Sequence, residues 1–465
     1  MSNLKLTSQI ILEGSTKEII QKCIADNTFE NPIFLSNEQN HRSNWNTSPT
    51  IETYCFEGEN LVLPRGYARD LLNICHENDI TPNIQDDRIS QPCTYPNELK
   101  GIVLRPYQQR AVESAMKYEQ GVVIAPTGSG KSLTGLEIIR QHMQKALLIV
   151  HRQELALQWA EVIKERLGIE PGMIVGDSWT IGEQITIGMT QTLASRENDT
   201  KAISNLFGCI LIDEAHHTPS STFFDVIGLF EAKFRYGLSA SPNRRDGLEM
   251  IIYRSLGPII EEIARSEVEG VEATVPVTVV AIETGFDPGQ VNSWHEYLDS
   301  LTCNAERNIL IISLTQQSYG ATLILVDRTE HAEQLSDMMK RREIDHILAH
   351  GNLSKKDRSE AMGRIKTSKV TIGTSSLLGE GLDVASWGTL IMGSPISSEI
   401  KLLQNIGRIV RSAPGKEKAV VFDLKDRCAF SGASFNKRFE IYRKNKIWVE
   451  FVRNKKAAMS SNKAA

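Results

Sequence analysis

Apolar residues follow two rhythms along this chain. Short continuous runs at 121–125, Ala146–Val150, Ile185–Met189, 209–212 and 236–239 have the length of strands buried on both faces. Between them, 133–143 and 154–166 repeat apolar residues every three or four positions, which predicts helices with one buried stripe. The alternation restarts after residue 269, with strands expected at Ala321–Val326, 346–349, 370–373, 390–392 and 419–422. Helices are expected there at 330–342, 355–366 and 399–410. This pattern predicts an α/β protein with two tandem parallel-sheet lobes, 98–268 and 269–430, each covered by helices.

The flanks read differently. Residues 1–97 predict a small α+β accessory domain, with strands at 4–12 and 51–56 and helices at 16–26 and 65–77. A polar stretch with three prolines, 81–97, reads as its linker. At the other end, 431–465 holds nine Lys or Arg against Glu440 and Glu450. Phe435, Phe439 and Tyr442 recur there at helical spacing, so this segment predicts a basic helical tail.

Composition narrows the class. A chain of 465 residues, 41% hydrophobic and 23% charged, is an ordinary globular protein of several domains. A net charge of −5 excludes a general polyanion binder, so any nucleic-acid contact must be local. No apolar run approaches the roughly 20 residues that span a bilayer, and no secretory signal pattern opens the chain. The expectation is a cytoplasmic protein without a membrane partner. Seven cysteines without a CxxC pair predict reduced thiols rather than a zinc site or a disulfide framework.

Three strings carry the chemistry. In Ala125-Pro126-Thr127-Gly128-Ser129-Gly130-Lys131-Ser132, a glycine-rich turn lies between a predicted strand and a predicted helix. Such a turn aims backbone N–H groups and a helix N-terminus at one anion. Lys131 is expected to reach the outer phosphates and Ser132 to ligate Mg²⁺. Asp213-Glu214-Ala215-His216 follows a strand, which predicts Asp213 as the Mg²⁺ holder and Glu214 as the base for the attacking water. His216 reads either as a coupling residue or as a turn cap. Gln404-Asn405-Ile406-Gly407-Arg408-Ile409-Val410-Arg411 sets Arg408 and Arg411 three apart on one helix face, with Gln404 a turn earlier. Guanidinium groups supplied from a second lobe stabilise the charge of a transferring phosphoryl group. ATP and Mg²⁺ are therefore the expected cofactors.

In their order, these strings resemble superfamily 2 helicases, from residue 104 to about 424, of the XPB/UvsW-like branch. The resemblance implies two RecA-like lobes. Leu104-Arg105-Pro106-Tyr107-Gln108 is similar to the adenine-reading motif, which implies roles for Arg105 and Gln108 at the nucleotide. Ser239-Ala240-Ser241 looks like motif III. Gly379-Glu380-Gly381-Leu382-Asp383 looks like motif V, implying that Gly381 and Asp383 also line the nucleotide site. His151 and Arg152 resemble motif Ia, and Thr190 and Gln191 resemble motif Ib. With His350, Gly351 and Thr374 of the second lobe, these imply contacts to a nucleic-acid strand. Arg244-Arg245-Asp246 is similar to the Arg-Glu-Asp element of XPB, with arginine in the middle place.

The implied activity is an ATP-driven DNA motor that unwinds or branch-migrates forks, junctions or R-loops, acting as a monomer in a bacterial or phage-infected cytoplasm. The accessory domain would then grip duplex or junction, and the tail would bind phosphates. Single-stranded, duplex or branched DNA is the expected partner, with RNA–DNA hybrid or RNA as the alternative. A motor subunit of a larger complex is the reading from another class.

Overall fold

The computed structural model describes residues 2–126, 128–214, 220–240, 249–269, 275–378 and 384–452. Packing divides the chain into two units, Met1–Glu267 and Val268–Ala465.

The first unit is built on an eight-stranded sheet. From edge to edge its strands are Ser178–Trp179, Gly172–Val175, Ile185–Met189, Ala146–Val150, Cys209–Asp213, Phe234–Ser239, Gln120–Ile124 and Ile259–Glu262. All pairs are parallel except the two-residue Ser178–Trp179 edge. The central strands are buried on both faces, which is why they read as unbroken apolar runs. Helices Lys131–His142 and Gln153–Leu167 follow the first two strands in the chain. The edge strand Ile259–Glu262 is partly exposed and carries two glutamates, so it has no such signature.

The accessory segment departs from expectation in three places. The run at 4–12 is a hairpin, Asn3–Leu6 against Gln9–Glu13, turned at Thr7-Ser8 without glycine or proline. The stretch 51–56 is split between Thr50–Glu52 and Cys55–Glu57, which join different sheets. Residues 81–97 are not a free linker. Asn83–Asp86 pairs parallel with Asn3–Leu6, Ile89 bridges Ala232, and buried Tyr95 donates its hydroxyl to the Gln144 carbonyl at 2.9 Å. Helix Lys17–Asp26 is capped by Thr16, and helix Ala68–Glu77 follows a 3-10 turn at Arg65–Tyr67.

Arg65 fastens this segment to the large sheet. Its side chain is fully buried and donates to Gln120 Oε1 (2.8 Å) and to the carbonyls of Ala232 (2.6 Å) and Lys233 (3.0 Å). A second buried arginine, Arg235, donates to the carbonyls of Phe230 (2.6 Å) and Ser255 (3.1 Å). Burial, with each other's charge in the case of Arg65, pushes both guanidinium pKa values down, Arg235 to about 9. Gly66 sits so close to this seam that a Cβ there would meet the Tyr253 carbonyl at 2.2 Å.

The second unit carries a seven-stranded, wholly parallel sheet. Its order is Ile347–Ala349, Val370–Thr374, Ala321–Val326, Trp387–Met392, Ala419–Lys425, Val277–Glu283, Trp448–Val452. Residues 431–452 hold the expected helix but are built into the second unit rather than trailing from it. They lie within helix Ala429–Lys444 and continue into the edge strand Trp448–Val452. Arg438, one of the nine cations counted there, is fully buried and ion-paired with Asp423 at 2.7 Å, where Tyr442 also donates its hydroxyl. The aromatic spacing of Phe435, Phe439 and Tyr442 marks packing against the sheet. Lys437, Arg443, Lys444 and Lys446 belong to this folded part, while Arg453, Lys455, Lys456 and Lys463 lie outside the described residues.

All seven cysteines are free thiols. No described helix is long and apolar enough to cross a membrane.

Candidate active site

The phosphate-loop string sits where strand Gln120–Ile124 ends and helix Lys131–His142 begins. Gly128 and Gly130 adopt φ of 89° and 78°, a left-handed backbone that a side chain would strain. A Cβ on Gly130 would also meet Gln108 Nε2 at 2.4 Å. Ser129 is 1% exposed and its hydroxyl has no hydrogen-bond partner among the described residues. A buried, unpartnered hydroxyl beside two left-handed glycines and a helix N-terminus fits a phosphate, which supplies the missing acceptor. Thr127 lies outside the described residues.

Lys131 and Glu214 meet here. The ammonium lies 3.1 Å from Glu214 Oε1, with both side chains largely buried. It also donates to the Ala125 carbonyl at 3.4 Å. Glu214 has φ of 50°, a left-handed backbone uncommon for glutamate. Held off the axis of strand Cys209–Asp213, its carboxylate turns toward the lysine.

Asp213 is 6% exposed. Its Oδ1 accepts the Glu214 N–H at 3.0 Å, and its Oδ2 accepts the indole N–H of Trp159 at 2.8 Å. Burial, then the Glu214 charge, raises its pKa to about 6, while Lys131 opposes the shift. A buried carboxylate in that state favours a cation beside it. Ser132, on the first turn of the lysine helix, and Asp213 are the residues that would hold Mg²⁺.

Gln108 is buried and both ends of its amide are engaged. Its Oε1 accepts the Arg105 N–H at 2.9 Å, and its Nε2 donates to the Ser129 carbonyl at 2.9 Å. It ties the phosphate loop to the start of helix Pro106–Lys117. Arg105 Nη1 donates to the Tyr107 hydroxyl at 2.8 Å.

The candidate strand-contacting residues of the first unit divide by exposure. Gln191 is exposed, and Arg152 is half-buried at the N-cap of helix Gln153–Leu167. Thr190 is buried with its hydroxyl on the Val150 carbonyl at 3.2 Å. His151 is 8% exposed and lies among the groups whose electrostatic influence lowers the Asp213 pKa, opposing the effect of burial.

In the second unit Gly351 is exposed, and its carbonyl accepts from Arg358. His350 is buried with Nε2 3.5 Å from Glu333 Oε1, and Thr374 is buried, accepting from the Ser376 hydroxyl at 3.1 Å. Gln404 and Arg408 lie on helix Glu399–Ile409, buried at 6% and 5% exposure. Arg411 falls beyond that helix, whose C-cap is Val410, so the two arginines do not share one helical face. Burial pushes the Arg411 pKa down to about 10.

Sequence reasoning missed Lys416. Its ammonium donates to the carbonyls of Arg411 (2.6 Å), Trp387 (2.6 Å) and Ala385 (3.0 Å), clamping the backbone on which Arg411 sits. It missed Trp159 as well, because a tryptophan on the apolar stripe of a helix reads as core. His216, Ser241, Arg244–Asp246 and the motif V string with Gly381 and Asp383 lie outside the described residues.

Comparison with known proteins accords with this geometry. Residues 101–244 match the family model described as type III restriction enzyme, res subunit. Residues 305–413 match the helicase conserved C-terminal domain. A putative ATP-dependent RNA helicase of Acanthamoeba polyphaga mimivirus is 27% identical over 390 residues, 80% of this chain and 72% of that protein. The DNA 3'-5' translocase XPB2 of Sulfurisphaera tokodaii is 31% identical over 186 residues, 40% of this chain and 41% of that protein. The solved structure of Saccharomyces cerevisiae Dbp5 bound to RNA and ADP BeF3 shares the fold. Its TM-score is 0.60 at 17% identity, covering 77% of this chain and 92% of the other. With these two family models matched in order, the phosphate loop, the Asp-Glu pair and the arginine string inside them, and relatives named as helicases, the chain belongs to the superfamily 2 helicases, has the XPB type among its relatives, and is an ATP-dependent helicase.

Proposed function

We propose that this helicase is a DNA motor that remodels forks, junctions or R-loops, and that the Lys131, Glu214 and Asp213 cluster is its hydrolytic centre. The 3.1 Å approach of Lys131 to Glu214, beside a carboxylate raised by burial, carries this reading. Lys131 exchanges the carboxylate for phosphate oxygens when ATP enters, which frees Glu214 to orient and deprotonate water. Ser132 and Asp213 would hold Mg²⁺, which would neutralise charge on the phosphate oxygens when bound. Arg408 and Arg411 supply guanidinium charge to the transferring phosphoryl group.

Arg152, Gln191 and Gly351 are exposed or half-exposed, so they are the positions best placed to meet a strand. Contacts through amides, hydroxyls and a few cations hold phosphates without reading bases, so sequence preference is weak and substrate shape decides. The relative named a DNA translocase supports DNA, and the one named a putative RNA helicase supports RNA or hybrid as a second reading.

Steady-state ATPase of the purified chain tests this, with no nucleic acid, single-stranded DNA, duplex, a four-way junction and long single-stranded RNA. Strongest stimulation by duplex or junction is expected. Stimulation by RNA alone moves the reading to RNA remodelling, and flat activity throughout overturns both in favour of a motor that needs a partner subunit.

A further inference from the structure

We propose that Trp159 is a positioning residue that couples the strand-facing segment at Arg152 to the metal-holding carboxylate Asp213. The inference rests on the nucleic-acid role proposed for that segment. Arg152 is the N-cap of helix Gln153–Leu167, and Trp159 lies seven residues on in the same helix, about 10 Å along its axis. Both positions belong to one continuous hydrogen-bonded helix, which gives a direct physical path from its first turn to Trp159.

Trp159 touches both halves of the nucleotide site. Its indole N–H donates to Asp213 Oδ2 at 2.8 Å, and its side chain is 2% exposed. Its ring also packs on the helix that carries Lys131, since a Cβ built on Gly135 would lie 3.3 Å from the ring edge. A buried indole needs one acceptor, and a neighbouring backbone carbonyl would serve as well as a carboxylate. The choice of Asp213 has a consequence. With Oδ1 fixed by the Glu214 N–H and Oδ2 by the indole, the carboxylate is held in one orientation, and each oxygen keeps a lone pair for a cation. Strand contact at the N-cap, transmitted along the helix, therefore adjusts the residue that presents the cation to ATP.

The test uses the full chain with Trp159→Phe, which keeps an aromatic ring and removes the donor, and Trp159→His, which restores an N–H. Three quantities are measured: the ratio of stimulated to basal kcat with single-stranded DNA and RNA, the Mg²⁺ half-point for binding a fluorescent ATP analogue without turnover, and nucleic-acid Kd. A charge-assisted hydrogen bond is worth about tenfold in an equilibrium. W159F is expected to lower the stimulation ratio about tenfold and raise the Mg²⁺ half-point by a similar factor, with nucleic-acid Kd within about twofold. W159H is expected to recover part of both.

Wild-type values for W159F overturn the proposal. So does equal impairment of both variants with a matching fall in Tm, which marks a packing role only. A wild type that hydrolyses ATP without stimulation by either nucleic acid overturns the coupling together with the function proposed above, and the Mg²⁺ half-point then separately decides whether Trp159 holds Asp213.

Discussion

Lys131 and Glu214 form an ion pair at 3.1 Å across the mouth of the phosphate loop. The pair sets two opposite expectations. Lys131→Ala removes the phosphate clamp and should abolish turnover. Glu214→Gln removes the base and the lysine's competing anion together. Hydrolysis should fall by about 10²–10⁴ while ATP is bound as well or better. Single-turnover hydrolysis and equilibrium nucleotide binding on the same preparation check this, and full turnover by the glutamine variant refutes the assignment.

Arg411 sits past its helix on a backbone held by Lys416. Arg411→Ala should lower kcat by about 10³ with ATP affinity within a few-fold. Lys416→Met frees three carbonyls and should reproduce part of that loss. Unchanged kcat for Arg411→Ala removes the arginine from the reaction.

Arg438 and Asp423 form a buried ion pair in the second unit. Arg438→Met leaves the carboxylate buried without its cation and should cost about 3–5 kcal/mol in urea unfolding. Truncation at Ser431 should prevent the second unit from folding, because it deletes most of helix Ala429–Lys444 and the edge strand beyond. A folded truncated protein with only a weaker salt dependence of DNA binding would restore the tail reading.

Arg65 is the pin between the accessory segment and the large sheet. Arg65→Ala leaves the Ala232 and Lys233 carbonyls without their donor, so a loss of about 3 kcal/mol or more is expected in urea unfolding. Deletion of residues 1–97 should give an insoluble first unit rather than a smaller active motor. A soluble, active deletion would show that the seam is dispensable.

His142 is half-buried and stacked against Phe234 and Tyr236, with ring centroids 4.0 and 5.2 Å away, and desolvation holds its pKa down at about 4. In the unfolded chain it titrates near the ordinary value of 6.5. The folded form thus resists protonation, and stability present above pH 6.5 is lost as pH falls toward 4. Between pH 7 and 5 the loss should be about 2 kcal/mol, and His142→Phe should remove most of that slope in Tm measured against pH. An unchanged slope assigns the acid sensitivity elsewhere, with buried His331 the next group to test.

What the sequence by itself determined was whatever local pattern controls. Ala146–Val150 and Ile185–Met189 were legible to the residue, since strands buried on both faces must be continuously apolar. The phosphate loop was legible because left-handed turns demand glycine at fixed spacing. Tertiary structure alone decided the rest. Arg438 looks like any surface cation until Asp423, 15 positions away, is folded beside it. The strand at Asn83–Asp86 is exposed along its whole length, so no apolar pattern announces it, and only pairing with Asn3–Leu6 makes it a strand. Trp159 reads as core, and its link to Asp213 exists because the sheet brings a helix and a strand end together across 54 residues. Periodicity reports which face of an element is buried, whereas the partner it meets there is set by chain topology.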